Sequence, residues 1–276
     1  MVFQEPLLFD TTVFGNVVSG LKIRGIGGAE ARRVVDSQLE HFGIAHLSDR
    51  SAETLSGGEA QRASLARAFA ISPEILFLDE PFAALDPPTR ESIVTDLEKV
   101  LAETKTTTIM ATHDRNEALR LSGRIAVMEA GRIAQIDRPA VVMNRPVDEF
   151  VASFVGTETI LEGKVRGVNE TALIVRVNGS EIEVVGKGKP GEEVVLCIRP
   201  ENVTLSIPEG KVKTSARNVF RGRIGRIVPL GLFHRVEISC GFALVAYVTT
   251  HALEDLALRE GTEVTASVKA TAIHVI

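Results

Sequence analysis

The sequence has no uninterrupted apolar run of the roughly 18 or more residues that a membrane-crossing helix requires. Its opening, MVFQEPLLFD, has neither the basic flank nor the apolar stretch of a secretory signal. Any attachment to a membrane is therefore expected to come through a partner protein. An excess of positive charge is missing too: 31 Lys and Arg face 36 Asp and Glu, for a formal net charge of -5. That balance argues against nucleic acid as a partner, since no broad surface is available for a phosphate backbone, but it leaves room for a small local anion pocket. Cysteine is scarce. Cys197 and Cys240 share no metal-ligand spacing and lie in the strand-like runs VVLCIRP and VEISCGF, which predicts buried thiols in a reducing compartment rather than a disulfide framework.

What is present suffices for two globular domains: 276 residues, 45% of them hydrophobic. Residues 1–138 mix helix-compatible segments (29–42, 59–70 and 89–104) with the short apolar runs ILFLD, TTTIMAT and RIAVMEA. Runs of that length, bounded by turn and cap signals, predict buried strands of a parallel sheet in an α/β domain. Residues 139–156 read as a connector, in which VDEFVASFVG forms a short helix. From 157 to 276 the texture is all β, with alternating segments spaced by Gly, Asn and Pro, as in a small barrel or sandwich. This region also looks internally repeated, about 157–206 against 213–276. LEGKVRGVNETALIVRVNGSEIEVVG lines up with FRGRIGRIVPLGLFHRVEISCGFALVAYV, and the two endings pair Gly191 with Gly261 and Arg199 with Lys269. The second copy inserts the helical stretch HALEDLALR.

The chemistry concentrates in residues 55–86. Ser56, Gly57 and Gly58 open a helix that continues through Gln61 and Arg62, so their N–H groups and the positive helix end can face an anion. A dozen residues later the strand ILFLD ends in two adjacent carboxylates. Side chains at a strand end project to different sides, so Asp79 can organise Mg2+ while Glu80 polarises a water. TTTIMAT delivers His113 to another strand end, where an imidazole can hydrogen-bond a phosphate. Together these are parts needed for nucleoside-triphosphate hydrolysis.

In this order the residues resemble the nucleotide-binding subunit of the ABC transporter family. LSGGEAQR (55–62) resembles its signature motif, ILFLDE (75–80) its Walker B strand with the catalytic glutamate, Ala84–Asp86 its D-loop and His113 its switch histidine. Gln4 resembles the Q-loop glutamine, which in the family senses Mg2+ and nucleotide. The resemblance implies an ABC ATPase domain of the P-loop NTPase class, with a parallel sheet and a helical subdomain over residues 10–54 that grips transmembrane permease subunits. It implies ATP and Mg2+ as cofactors and a homodimer peripheral to the cytoplasmic face of the membrane. Glu80 and His113 would be catalytic, and Gln4, Ser56, Gly57, Gly58, Gln61 and Asp86 would bind nucleotide, with Asp79 and Gln4 on Mg2+. The family's phosphate-cradling G-x-x-x-x-G-K-[ST] loop occurs nowhere in the sequence, and GIGGAEARR (25–33) reads as a turn before a helix. The expectation is an ATPase domain truncated before the Q-loop, with poor hydrolysis by the chain alone.

The C-terminal region resembles the TOBE domain, an OB-like β module of importer ATPases, through RPENVTL (199–205). Its second copy resembles the molybdate-binding Mop proteins through TSARNVFRGRI (214–224) and VTASVKATAI (264–273). Ser215, Arg217, Asn218, Lys269 and Thr271 supply the hydroxyl, amide and cationic donors that a tetrahedral dianion needs. The first copy lacks SARN, so the anion site is expected in the second. The resemblance implies an importer of molybdate or tungstate. A sugar, polyamine or ferric ion as cargo, or a non-hydrolysing oxyanion binder, are the alternatives, since TOBE modules accompany those importers too.

Overall fold

The computed structural model describes residues 1–169, 171–208 and 214–276, and residue 213, where the second repeat is expected to start, lies outside them. The chain divides into two compact units, Met1–Ser122 and Gly123–Ile276.

The first unit runs α1 (Val13–Ile23), α2 (Gly28–His41), α3 (Gly57–Ala70), β1 (Ile75–Asp79), α4 (Pro87–Thr104), β2 (Thr107–Ala111) and α5 (Arg115–Leu121). Capping chemistry fixes several of these starts. Thr12 accepts from Gly15 N ahead of α1, and Asp86 accepts from Thr89 N ahead of α4, whose first turn carries proline. β1 and β2 pair in parallel, from Ile75 opposite Thr107 to Asp79 opposite Ala111. On the other side of β1, Val2 N donates to Phe77 O (2.8 Å) and Asp79 N to Val2 O (2.9 Å). Gln4, Asp79 and the segment holding His113 therefore all follow the carboxyl ends of parallel chain segments, where open α/β sheets present ligand sites.

ILFLD is buried on one face only. Leu76 and Leu78 pack into a core with Leu65, Ala66, Phe69, Ile93 and Leu97, whereas Ile75, Phe77 and Ile109 are 52%, 45% and 56% exposed. The packed helices of this unit lie over one side of the strands, so the period-2 alternation of a half-buried strand replaces the expected full burial. RIAVMEA departs further from expectation. It forms β3 (Ile125–Glu129), which pairs antiparallel with β4 (Arg132–Asp137) instead of joining a parallel sheet. Ala130 and Gly131, with φ of 47° and 78°, make the two-residue turn whose left-handed conformation suits a hairpin.

After the hairpin come α6 (Pro139–Asn144) and α7 (Glu149–Phe154). The β region follows: β5 (Thr159–Asn169), β6 (Ala172–Val177), β7 (Ser180–Val185), β8 (Glu193–Ile198), β9 (Val203–Ser206), β10 (Asn218–Pro229), β11 (Phe233–Ser239), β12 (Ala243–Thr249), α8 (Thr250–Asp255), β13 (Glu263–Val268) and β14 (Ile273–Val275). Two five-stranded antiparallel sheets result, in the orders β14-β8-β5-β6-β7 and β12-β11-β10-β13-β9. Each sheet thus takes its last strand from the other half of the region. The exchange is reciprocal in register: Ile273 faces Ile198, and Val203 faces Val268. The first strands match as well, with a bulge between Val165 and Gly167 in β5 and between Ile224 and Arg226 in β10. Gly191 N donates to Val165 O and Gly261 N to Ile224 O, both at 2.8 Å.

Two buried side chains tie the sheets together. Asn218, at the start of β10, accepts from Glu183 N and donates to Glu183 O, both at 2.8 Å, on the outer strand β7. Thr159, at the start of β5, accepts from Val245 N (3.0 Å) on the outer strand β12. Both satisfy edge-strand backbone groups that would otherwise be orphaned. One continuous core, including Leu173, Ile182, Leu196, Val236, Ile238 and Leu244, fills the space between the sheets.

Candidate functional site

Ser56 begins α3 with a capping box. Its Oγ accepts from Glu59 N (3.4 Å), and Glu59 Oε2 accepts from both Ser56 N and Ser56 Oγ, each at 2.8 Å. The backbone hydrogen bond from Ser56 is the main reason that the Glu59 carboxyl titrates below its usual range. Because Glu59 satisfies the cap itself, the first-turn amides of Gly57 and Gly58 stay available to an external anion. A cleft of about 550 Å3 opens there, lined by Ser56–Glu59, Arg62 and the Ala84–Thr89 segment, so Ser56, Gly57, Gly58 and Asp86 come together as expected from their order. Gly58 is required by close approach, since a Cβ built on it would lie 2.4 Å from Thr89 Cγ2. Arg62 braces this arrangement through Asp96 (2.5 Å), Ser92 Oγ (2.8 Å) and Phe42 O (2.7 Å). Hydrogen bonding from Thr89, first from its hydroxyl and then from its backbone N–H, holds the Asp86 carboxyl below its usual range.

Gln61 is placed elsewhere. It is 1% exposed and reaches Phe3 O (3.4 Å), so it fastens α3 to the segment leading into Gln4 and presents nothing to the cleft. Gln4 itself is exposed.

Glu80 and His113 form a second cluster. Glu80 adopts a left-handed φ of 45° while its N–H donates to Ala111 O (2.9 Å), which turns the side chain out of the strand direction. Its Oε2 lies 2.5 Å from His113 Nδ1, and the imidazole is otherwise largely open to solvent. With Nδ1 engaged by the carboxylate, Nε2 is the ring atom left to meet a ligand. The segment holding His113 is tightly fixed. Thr112 Oγ1 donates to Glu117 Oε2 (2.6 Å), Asp114 caps α5, and Arg90 meets Asp114 (3.4 Å) and Glu117 (3.9 Å) while donating to Leu85 O (3.1 Å). Arg90 thereby ties the Ala84–Asp86 turn to the His113 turn. Burial pushes the Glu117 carboxyl above its usual range. Asp79 is exposed at the end of β1. Its single hard carboxylate suits Mg2+, which keeps most of its water and phosphate ligands, better than a metal needing an all-protein cage. Among the described residues no group of three or more His, Cys, Asp or Glu gathers for such a cage.

In the β region the five expected oxyanion residues separate. Asn218 pairs in register with Val268, so Arg217 and Lys269 stand one step beyond that pair on adjacent strands, exposed, with Ser215 nearby in sequence. Arg217 is 3.9 Å from Glu183. Asn218 is 2% exposed with both amide atoms committed to Glu183, so it positions the strands and offers no donor to a ligand. Thr271 lies in a different place, a cleft of about 360 Å3 shared with Arg199, Asn202 and Thr157. The sequence reading missed this cleft. At the position in the first copy equivalent to Arg217 stands Glu158, whose carboxylate is held by Arg235 and Tyr247. Cys197 is buried, which pushes its thiol up to about 12, and half-buried Cys240 is pushed up to about 11.

Comparison with known families matches residues 1–83 to the ABC transporter family and residues 214–275 to the TOBE domain. The molybdate/tungstate import ATP-binding protein WtpC of Pyrococcus horikoshii is 42% identical over 269 residues, covering 96% of this chain and 74% of that protein. WtpC of Pyrococcus abyssi is 41% identical over 99% of this chain and 77% of its own length. The sulfate/thiosulfate import ATP-binding protein CysA of Mycobacterium tuberculosis is 37% identical over 94% of this chain and 68% of its own length. With the strand order, the helix-capped cleft and these relatives in agreement, the chain belongs to the ABC transporter family, as an import ATP-binding subunit with a C-terminal TOBE domain.

Proposed function

We propose that the chain couples ATP hydrolysis to uptake of molybdate or tungstate through a pair of transmembrane permease subunits, acting as a homodimer on the cytoplasmic face of the membrane. The observation that carries the cargo is the 42% identity, over 96% of the chain, to an import protein named for those two anions. ATP would supply the transferable phosphoryl group and Mg2+ the positive charge that organises it. The chain's own groups divide the remaining work. The Gly57 and Gly58 amides present hydrogen-bond donors and the positive end of α3 to a polyphosphate held by a second copy, with Ser56 and Asp86 lining the same cleft. Asp79 and Gln4 would hold the cation. Glu80 takes a proton from the attacking water, and His113, oriented by its bond to Glu80, offers Nε2 to the phosphate. In the TOBE region Ser215, Arg217 and Lys269 are the donors that an oxyanion reaches, on strands that Asn218 fixes.

Reconstitution with the transmembrane pair of a molybdate importer tests this reading. Uptake of molybdate or tungstate should exceed that of sulfate, and Glu80→Gln should stop it. Preferential uptake of sulfate, or uptake that survives Glu80→Gln, overturns it.

A further inference from the structure

We propose that the cleft between the two exchanged halves of the TOBE region is a second oxyanion site, built from Thr157, Arg199, Asn202 and Thr271 and closed on one side by Arg145. The inference rests on the oxyanion reading above for its ligand class.

Four observations support the site. Its volume, about 360 Å3, is that of a small-molecule pocket. The cleft lining holds two arginines, a histidine, two asparagines and two threonines, and no carboxylate, in a chain whose net charge is -5. Glu201, the nearest acid paired with Arg199, takes only Nη1, at 3.3 Å. Arg199 Nη2 donates to Val155 O (3.1 Å), while its buried Nε has no hydrogen-bond partner. An orphaned guanidinium N–H costs free energy unless something meets it. Finally, Thr157 is 6% exposed, so a polar side chain more than nine-tenths buried faces the same cleft.

The strand exchange explains why these groups meet. Thr157 and Arg199 flank the paired ends of β5 and β8 in the first copy, where Thr159 faces Ile198. Thr271 comes from the second copy, carried over by the chain that leads into β14. The site is therefore complete only because each half donates its last strand to the other. Asn202 reaches Ala272 O (3.5 Å) across the same seam. Two guanidinium charges with hydroxyl and amide donors suit a compact dianion that accepts several hydrogen bonds at once. The Met143–Pro146 segment forms the remaining wall, pinned by His274 Nε2 at 2.8 Å from Pro146 O. A bound anion would clamp that connecting segment onto the β region through Arg145.

Neither Ser215, Arg217 nor Lys269 lines this cleft, which makes the two sites separable. Isothermal titration of the full chain with molybdate, and with sulfate in parallel, should show two equivalents of bound molybdate. Arg199→Gln should remove one and Arg217→Gln the other. Arg145→Gln and Thr157→Val, which disturb less of the fold, should each weaken the cleft equivalent by about tenfold or more, with circular-dichroism melting confirming that every variant is folded. A single equivalent lost in Arg217→Gln and unchanged in Arg199→Gln, Arg145→Gln and Thr157→Val overturns the cleft and leaves the oxyanion reading intact. A single equivalent lost only in the cleft variants upholds the cleft and overturns the site at Arg217. No binding of either anion overturns both.

Discussion

Replacing Asn218 by alanine separates a structural from a ligand-binding role for the SARN segment. The side chain is 2% exposed and makes two 2.8 Å hydrogen bonds, one each way, with the backbone of Glu183 on the outer strand β7. Each such bond contributes about 1 kcal/mol net, and the loss of both strands a donor and an acceptor that water replaces only in part, because Glu183 is half-buried. The expected cost is about 2 kcal/mol, which for a unit of this size lowers Tm by roughly 4–8 °C. The assay is thermal or urea denaturation in buffer free of any oxyanion, so that ligand stabilisation does not enter. Arg217→Ala is the control. Its guanidinium is 73% exposed and only 3.9 Å from Glu183, so its removal should change stability by less than about 0.5 kcal/mol. If Asn218→Ala costs less than that, or if Arg217→Ala costs as much, the reasoning fails.

Three other outcomes are expected. Gly58→Ala should destabilise the chain by about 1–3 kcal/mol, because the new Cβ meets Thr89 Cγ2 at 2.4 Å, and Thr89→Ser, which deletes that methyl, should restore most of the loss in the double variant. Since the Glu59 carboxyl is depressed by its bonds to Ser56, its contribution should be complete above its usual value of 4.5 and vanish as the pH falls through the lower folded value, so the gap in urea midpoint between the parent chain and Glu59→Leu should close in acid. The thiols, pushed from 9.0 to about 12 at Cys197 and about 11 at Cys240, should alkylate near pH 8 about a thousandfold and a hundredfold more slowly than in the urea-unfolded chain, as read by mass spectrometry.

The helices were legible because their signals are local. Ser56 with Glu59, Asp86 with proline behind it and Asp114 each mark a start by side-chain chemistry that needs no distant partner. The β1 and β2 runs were legible as strands for the same reason. RIAVMEA misled because an apolar run of that length fits a parallel strand or a hairpin arm equally well. The deciding feature was Ala130, a residue whose left-handed φ no propensity announces. In the site, spacing placed Glu80 and His113 together at 2.5 Å, since both follow adjacent parallel strands. Spacing could not tell that Gln61 and Asn218 are turned inward, because hydrogen bonds to Phe3 and Glu183 arise from residues 58 and 35 positions away. The Thr157–Arg199–Thr271 cleft was hidden for a deeper reason: it spans a strand exchange, and an alignment of two repeats shows likeness without showing which strand each repeat keeps.

That exchange also sets an order of events during synthesis. The sheet begun at Thr159 lacks the neighbour of β8 until Ile273–Val275 has left the ribosome, more than a hundred residues later. Until then the first half carries an open strand edge, and its closest means of closing that edge is the same short segment on another nascent chain. A chain lacking Ile273–Val275 would leave the edge of β8 unpaired in the earlier-made half of the β region, so loss of that strand should show first as association through the sheet that begins at Thr159.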